Sequence, residues 1–214
     1  WTTGRKGHIS SRQVASQQTE PYELNISYFE AIAPEVHTDI PSSVWIDRYL
    51  CSQTIMIALQ GVPAIYFHSL FGGRNNLKGV AETGANRTIN REKFRLGALE
   101  SMLQDPTHYS AKVFSRYGHL LQARQKQSAF NPYGKQEVLD IHPSTFVLIR
   151  TSPEDGSKVL CVHNVSASVV ELQDIHPIIT STMGVDILNQ ESINIRDIRL
   201  KPYQCRWITL HQSS

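Results

Sequence analysis

The chain has 214 residues, of which 40% are hydrophobic, which is enough for one domain or for part of a domain followed by a small second one. Its 21 basic and 19 acidic residues are interleaved and leave a net charge of +2, which argues against a nucleic-acid partner. The longest apolar run, residues 55–67, is interrupted by Gln60, Gly61 and Pro63, so a membrane span is not predicted.

The three cysteines, Cys51, Cys161 and Cys205, lie far apart and lack the spacing of metal ligands. An odd number of cysteines without a recognisable signal peptide indicates reduced thiols in the cytoplasm and not a disulfide framework. Because Trp1 is followed by a polar segment, we expect the chain to begin within a loop of a longer protein.

The first part of the chain predicts one helix followed by one buried strand. Residues 1–21 are polar and predict an exposed loop, and residues 24–29 predict a short strand or an extended connector. Apolar residues recur at helical spacing over residues 42–60, with Gly61 as the stop. The almost wholly apolar residues 62–67 then predict a strand buried on both faces, as in a parallel barrel.

Residues 68–90 are rich in Gly, Asn and Arg and follow the carboxyl end of that predicted strand, where α/β barrels carry their active-site loops. Helices are predicted over residues 92–103 and 107–128. Beyond Gly134 the pattern changes to short β-rich runs at residues 146–150, 159–164, 169–172 and 206–210, with a hairpin turn at residues 153–156.

The predicted fold class is therefore α/β followed by all-β. The boundary is predicted near residue 135, so residues 1–134 form the α/β part and residues 135–214 the all-β part.

Three segments resemble the sucrose phosphorylases of the α-amylase family, also called glycoside hydrolase family 13. Residues 61–67, Gly-Val-Pro-Ala-Ile-Tyr-Phe, resemble the Gly-x-Pro-x-Ile-Tyr-Tyr pattern of the eighth barrel strand. Residues 22–31 resemble the sucrose phosphorylase segment Tyr-Gln-Val-Asn-x-Thr-Tyr-Tyr-x-Ala, and residues 86–91 resemble Gly-Arg-Asp-Ile-Asn-Arg. The order and similar spacing of the three segments make the resemblance specific.

The resemblance implies that residues 1–134 form the C-terminal portion of a (β/α)₈ barrel, including its last βα unit, and that residues 135–214 form an antiparallel β-sandwich domain. It also implies a retaining mechanism with an Asp nucleophile, a Glu acid/base and a second Asp that stabilises the transition state. Phosphate is the implied acceptor, glucose 1-phosphate the product, and no metal or organic cofactor is required. In the family these carboxylates lie on strands four, five and seven, and their motifs are not found in this sequence. We therefore expect no catalytic residue here and an inactive chain unless the missing part of the barrel is supplied.

The resemblance also implies candidate substrate-binding residues. Tyr22 and Glu23 correspond to a loop beside the leaving group, and Arg87 to an arginine facing the acceptor or phosphate, which a guanidinium binds well. Arg74, in the loop of residues 72–76, is a further possible contact. His68 is another, although a structural histidine at a strand end is the stronger interpretation.

The sequence departs from the family pattern at two of these positions. Glu23 stands where sucrose phosphorylases usually have Gln, and Thr88 where they have Asp. An unpaired carboxylate at position 23 would repel a phosphate or carboxylate ligand, so fructose, fructose phosphate, glycerate and glycerol all stay open as leaving groups. Arg87 has an alternative as well, a surface ion pair with Glu82 or Glu92.

Two other functions compete with a phosphorylase. One is a hydrolase or transglucosidase of the same family, with water or a sugar as acceptor. The other is a carbohydrate-binding β domain, although its aromatic residues are few: Tyr133, Phe146, Tyr203 and Trp207. Because the neighbours of the predicted strand 62–67 are missing, we also expect residues 1–135 to self-associate, to rearrange or to need an absent partner segment.

Overall fold

The computed structural model describes the following parts of the chain: residues 1–14, 18–32, 43–173, 175 and 179–210. They form two compact units. Unit 1 contains residues 1–49 and 65–115, and unit 2 contains residues 50–64 and 116–214.

Unit 1 begins with an antiparallel hairpin of β1 (His8–Gln13) and β2 (Thr19–Asn25), with a bulge between Ser10 and Ser11. The loop predicted over residues 1–21 is therefore wrong at His8–Gln13 and at residues 19–21, which lie in strands. Most residues of both strands are exposed on both faces, so the sequence shows no apolar alternation there. Pairing between the strands, and not burial, defines this hairpin.

Five α-helices lie in the described part of the chain: α1 (Tyr28–Ile32), α2 (Ser43–Ala58), α3 (Leu77–Thr83), α4 (Leu96–Gln104) and α5 (Tyr109–Gln125). Short 3₁₀ helices occupy Thr3–Arg5, Phe67–Phe71, Asn86–Asn90 and Ser128–Phe130. The helix predicted over residues 42–60 is confirmed as α2. The helices predicted over residues 92–103 and 107–128 are confirmed as α4 and α5, with shifted ends.

The strand predicted over residues 62–67 is wrong. Residues 62–66 have no regular secondary structure, and Phe67 opens a 3₁₀ helix. Val62 is 82% exposed, Tyr66 is exposed and Ile65 is half-buried, so burial on both faces is wrong as well. A strand needs the backbone groups of neighbouring strands, and no described strand pairs with this segment.

The described strands of unit 2 are all antiparallel and form two sheets. The larger sheet has the order β3-β4-β5-β10-β7-β8, and the smaller pairs β6 with β9. Their bounds are β3 (Lys135–Leu139), β4 (Thr145–Thr151), β5 (Lys158–Asn164), β6 (Val170–Gln173), β7 (Met183–Asp186), β8 (Glu191–Asn194), β9 (Asp197–Leu200) and β10 (Cys205–Leu210). The runs predicted over residues 146–150, 159–164, 169–172 and 206–210 are confirmed as β4, β5, β6 and β10.

The two sheets share one apolar core. Its buried members come from both sheets and include Val147, Ile149, Leu160, Val162, Val170, Leu172, Ile198, Leu200 and Ile208. Leu148, Cys161 and Trp207 alternate with these residues along their strands and are buried as well. Burial on both faces explains why β4 and β5 are almost continuously apolar in sequence.

Two arginines of unit 2 cap the C-terminal end of α2. Arg150 of β4 is fully buried and donates from Nη1 to the carbonyl of Ala58 at 2.9 Å. Arg124 of α5 donates from Nε to the carbonyl of Ile57 at 2.8 Å and from Nη2 to Gly61 at 3.2 Å. Burial lowers the pKa of both guanidinium groups. Cations at this end also complement the helix dipole.

His163 of β5 gives unit 2 a pH dependence. Its ring is fully buried, Nδ1 donates to the carbonyl of Phe146 at 2.8 Å, and Nε2 has no partner among the described residues. Burial lowers the pKa of His163 to about 4, because the charged ring would lose its hydration. Its ordinary pKa is about 6.5, so folding favours the neutral ring.

The contribution of His163 to stability is therefore complete above about pH 6.5 and is lost as pH falls towards about 4, by roughly 3 kcal/mol in all. Urea unfolding at pH 7.0 and 4.5 checks this against His163→Asn, whose amide N–H can replace the Nδ1 donor. We expect the wild type to lose more stability between the two pH values than the variant. Equal losses would contradict the prediction.

Candidate functional site

A hydrogen-bond network joins the hairpin of unit 1 to the 3₁₀ helix Asn86–Asn90. The hydroxyl oxygen of Ser10 on β1 accepts from Asn25 Nδ2 at 2.8 Å and from Asn86 Nδ2 at 3.2 Å. Ile89 anchors the 3₁₀ helix with a fully buried side chain. The network brings the end of β2, with Tyr22 and Glu23, next to the helical turn that carries Arg87.

Glu23 and Arg87 form an ion pair, with Arg87 Nε 3.1 Å from Glu23 Oε2. Their side chains are 32% and 57% exposed, so the pair faces solvent. Glu23 raises the pKa of Arg87, mainly by the hydrogen bond and then by its charge, and Tyr22 adds to the effect. Arg87 therefore pairs with Glu23, and not with Glu82 or Glu92 as in the surface alternative.

This geometry leaves part of the guanidinium available to a ligand. The ion pair uses Nε, and the terminal nitrogens of Arg87 make no hydrogen bond to any residue that the structure describes. An exposed ion pair of this kind adds little to stability. The two terminal nitrogens can form a bidentate contact with a carboxylate or phosphate.

Arg74 has a different partner. Its Nε lies 2.6 Å from Oε1 of Glu30, whose side chain is only 7% exposed. Arg74 also lines a separate cavity of unit 1, and Tyr22, Glu23 and Arg87 are not among the described residues of that lining. The sequence grouped Arg74 with Arg87, whereas the structure places them at two different features.

The other groups of the loop at residues 72–76 mostly serve the fold. Asn75 Oδ1 accepts from the backbone N–H of Ser27 at 2.8 Å. Asn76 Oδ1 accepts from the N–H of Gly79 at 2.9 Å and so caps the start of α3. Gly73 uses its own N–H to bond the carbonyl of His68 at 2.9 Å. Few backbone donors of this loop therefore remain for a ligand.

His68 has structural contacts. Its Nε2 donates to the carbonyl of Glu92 at 2.8 Å, and its ring lies between those of Tyr66 and Phe94, at centroid distances of 5.0 Å and 5.4 Å. Tyr66 in turn donates its hydroxyl to the carbonyl of Asn90 at 2.9 Å. These two rings fix the chain just beyond the 3₁₀ helix that carries the ion pair.

Sequence reasoning missed the residues that assemble this site. Asn25 and Asn86 lie inside the segments that resemble sucrose phosphorylases, so the motifs offered a signal for them. Ser10 lies in a polar stretch without periodicity, and nothing in its surroundings marked it. Glu30 was also overlooked, because its partner Arg74 is distant in sequence.

Other features of the described residues bear on the remaining expectations. They contain no cluster of three His, Cys, Asp or Glu side chains able to hold a metal ion. None of the described helices is long and apolar enough to cross a membrane. The three cysteines are free thiols. Of the four aromatic residues of the β domain, Tyr133 is 88% exposed while Trp207 is fully buried.

Comparison with known proteins gives matches in sequence and in structure, although no family model matches the chain. A glucosylglycerate phosphorylase of Spirochaeta thermophila is 44% identical over 161 residues, which are 75% of this chain and 27% of that protein. One of Allomeiothermus silvanus is 35% identical over 188 residues, which are 88% of this chain and 31% of that protein. The crystal structure of sucrose 6F-phosphate phosphorylase from Thermoanaerobacter thermosaccharolyticum matches with a TM-score of 0.63 and 19% identity, over 93% of this chain and 34% of that one.

The chain thus spans between 27% and 34% of the length of these relatives. The structural match confirms the predicted fold class, the C-terminal portion of a (β/α)₈ barrel followed by an antiparallel β domain. The sequence matches agree with the resemblance carried by residues 22–31, 61–67 and 86–91. The chain therefore belongs to the sucrose phosphorylase-like enzymes of the α-amylase family.

Proposed function

We propose that the protein carrying this chain is a retaining glucosyl phosphorylase that transfers glucose from an α-glucoside to phosphate and releases glucose 1-phosphate. Family membership supports the reaction class. The nucleophile, acid/base and stabiliser are supplied from outside these 214 residues, so the chain alone is inactive. Reduced thiols at Cys51, Cys161 and Cys205 suit the cytoplasm.

The observation that carries the proposal is the ion pair of Glu23 and Arg87. A carboxylate at position 23 would repel an anionic ligand, but its contact with Arg87 neutralises that charge. The terminal nitrogens of Arg87 then face solvent as donors for a second anion. Tyr22 is exposed beside them and supplies a hydroxyl.

Glycerate is the proposed leaving group. Glycerate carries a carboxylate and fructose phosphate a phosphate, whereas fructose and glycerol are neutral, and an anion gains most from a free guanidinium edge. The relatives with 44% and 35% identity are glucosylglycerate phosphorylases, which supports the same preference. We also propose that residues 1–134 belong to the barrel and residues 135–214 to the β domain.

A retaining mechanism explains how one cation serves two anions. The leaving group departs from the same face of the sugar on which the acceptor later arrives. Arg87 would bind the carboxylate of glycerate in the first step and phosphate in the second. The pKa of Arg87 is raised by Glu23, so the guanidinium stays charged throughout.

The full product of the gene that encodes this chain tests the proposal. It is incubated with glucosylglycerate, with and without inorganic phosphate, and glucose 1-phosphate and glucose are measured. We expect glucose 1-phosphate only when phosphate is present. Release of glucose at the same rate without phosphate would show a hydrolase, and formation of new oligosaccharides would show a transglucosidase. Either result contradicts the proposal.

A further inference from the structure

Unit 1 contains a second feature suited to a ligand, a cavity of about 360 Å³. Small-molecule sites in proteins usually have volumes of roughly 300–1,000 Å³. Three stretches of the chain form its walls: the end of the 3₁₀ helix Phe67–Phe71 with the residues after it, the segment leading into α4 with part of α4 itself, and the residues around the start of α5. The ion pair of Glu23 and Arg87 does not belong to the described lining, so the cavity is separate from the proposed acceptor site.

Part of the cavity lining is aromatic. Phe71, Phe94 and Tyr109 all line it. The rings of Phe71 and Phe94 lie edge to face, with centroids 6.1 Å apart, and this contact holds both in place. Tyr109 is largely buried, which raises the pKa of its phenol and keeps it a neutral hydrogen-bond donor. Such a wall suits the body of a sugar ring and not a bare inorganic ion.

The lining also contains cations. Lys93 and Arg95 line the cavity, are exposed, and have no ion-pair partner within the described ranges. Arg74 adds a third cation, fixed by its bond to Glu30. Glu92 is the one carboxylate in the described lining. Glu30 balances the charge of Arg74. Lys93 and Arg95 then contribute two positive charges against the one negative charge of Glu92, so the cavity attracts an anion.

We infer that this cavity binds a sugar phosphate monoester, with the sugar against the aromatic wall and the phosphate held by Lys93 and Arg95. Both parts of the ligand contribute to binding. An inorganic anion makes no favourable contact with the aromatic rings, and a neutral sugar gains little affinity from the cations. The volume admits a monosaccharide and its phosphate. The inference does not depend on the proposed function, since no residue of the acceptor site takes part.

Titration calorimetry of the full gene product with glucose 6-phosphate tests the inference. This probe is not the product of the proposed reaction, so binding at the cavity can be told apart from product binding. The variants are Lys93→Gln with Arg95→Gln, Arg87→Gln for the acceptor site, and Arg196→Gln as a control on the exposed surface of unit 2. All replace exposed side chains and are expected to fold.

We expect saturable binding that weakens at least about tenfold in the Lys93 and Arg95 double variant and less than about twofold in the other two. Added salt should weaken it as well. Absence of saturable binding would overturn the inference, and so would equal affinity for inorganic phosphate or for unphosphorylated glucose. A loss confined to Arg87→Gln would place the ligand at the acceptor site and overturn it too.

Discussion

Replacement of Arg150 by methionine is expected to lower the free energy of unfolding by about 3–5 kcal/mol. The fully buried guanidinium donates to three carbonyls: Ala58 at 2.9 Å, Asn131 at 2.8 Å and Gly134 at 3.4 Å. Methionine keeps much of the apolar volume but has no donor. The Asn131 carbonyl keeps the backbone N–H of Gly134 at 2.8 Å, so the carbonyls of Ala58 and Gly134 lose the most. Each buried carbonyl left without a partner costs about 1–3 kcal/mol.

Relief of the buried charge offsets part of that cost, because burial already lowers the pKa of Arg150. The offset is incomplete, since the carbonyls stay buried after the substitution. Urea unfolding of the gene product measures the difference. Arg150→Lys, which retains a charge and one donor group, should fall between wild type and Arg150→Met. Exposed Arg196→Met is the matched control and should stay within about 0.5 kcal/mol. A loss of less than about 1 kcal/mol in Arg150→Met would contradict the prediction.

Arg87→Gln is expected to lower kcat/KM for phosphorolysis of glucosylglycerate about 100-fold, because the variant removes a charge-assisted bidentate contact to the anion. It also leaves Glu23 without its cation, so the carboxylate then repels the anion. Steady-state kinetics with varied phosphate and varied glucosylglycerate measure the change.

Adding Glu23→Gln to Arg87→Gln separates these two contributions. The double variant should recover part of the loss, because the unpaired carboxylate is gone. Glu23→Gln alone restores the residue usual in sucrose phosphorylases and should have a smaller effect than Arg87→Gln. Should Arg87→Gln keep wild-type kcat/KM in both titrations, Arg87 would have no part in ligand binding.

The sequence predicted the elements whose burial pattern is simple. Helix α2 carries apolar residues at helical spacing up to Gly61, and β5 is a short apolar run after a turn at residues 153–156. In the structure that turn joins β4 to β5, with Gly156 at φ +70°. The residues within each of these elements determine its structure, so a single sequence was sufficient to predict them.

The wrong secondary-structure predictions have a common physical cause, because a segment becomes a strand only when another strand pairs with it. Residues 62–67 have the composition of a buried strand, but no described strand pairs with them. Residues 62–66 are irregular, and Phe67 opens a 3₁₀ helix. The strands β1 and β2 have the composition of a loop, yet they pair with each other. Composition alone reports neither the presence nor the absence of a partner strand.

The candidate site was predicted in part. The motifs nominated Tyr22, Glu23 and Arg87 separately, and the ion pair joining the last two became evident only from the structure. The separation of Arg74 from Arg87 was not predictable, because Glu30 lies 44 residues from Arg74 in sequence and its burial is a tertiary property. The roles of Tyr22, Glu23 and Arg87 in ligand binding are proposals.

Charge selectivity of the leaving group tests the central claim most directly. Glucosylglycerate and glucosylglycerol differ in carrying a carboxylate or a hydroxymethyl group, so the ratio of their kcat/KM values isolates recognition of the anion. With Arg87 beside the leaving group, we predict a ratio of about 100 in favour of glucosylglycerate for the wild-type gene product, decreasing towards 1 in Arg87→Gln. A ratio near 1 in the wild type, or one unchanged by the substitution, would contradict the account.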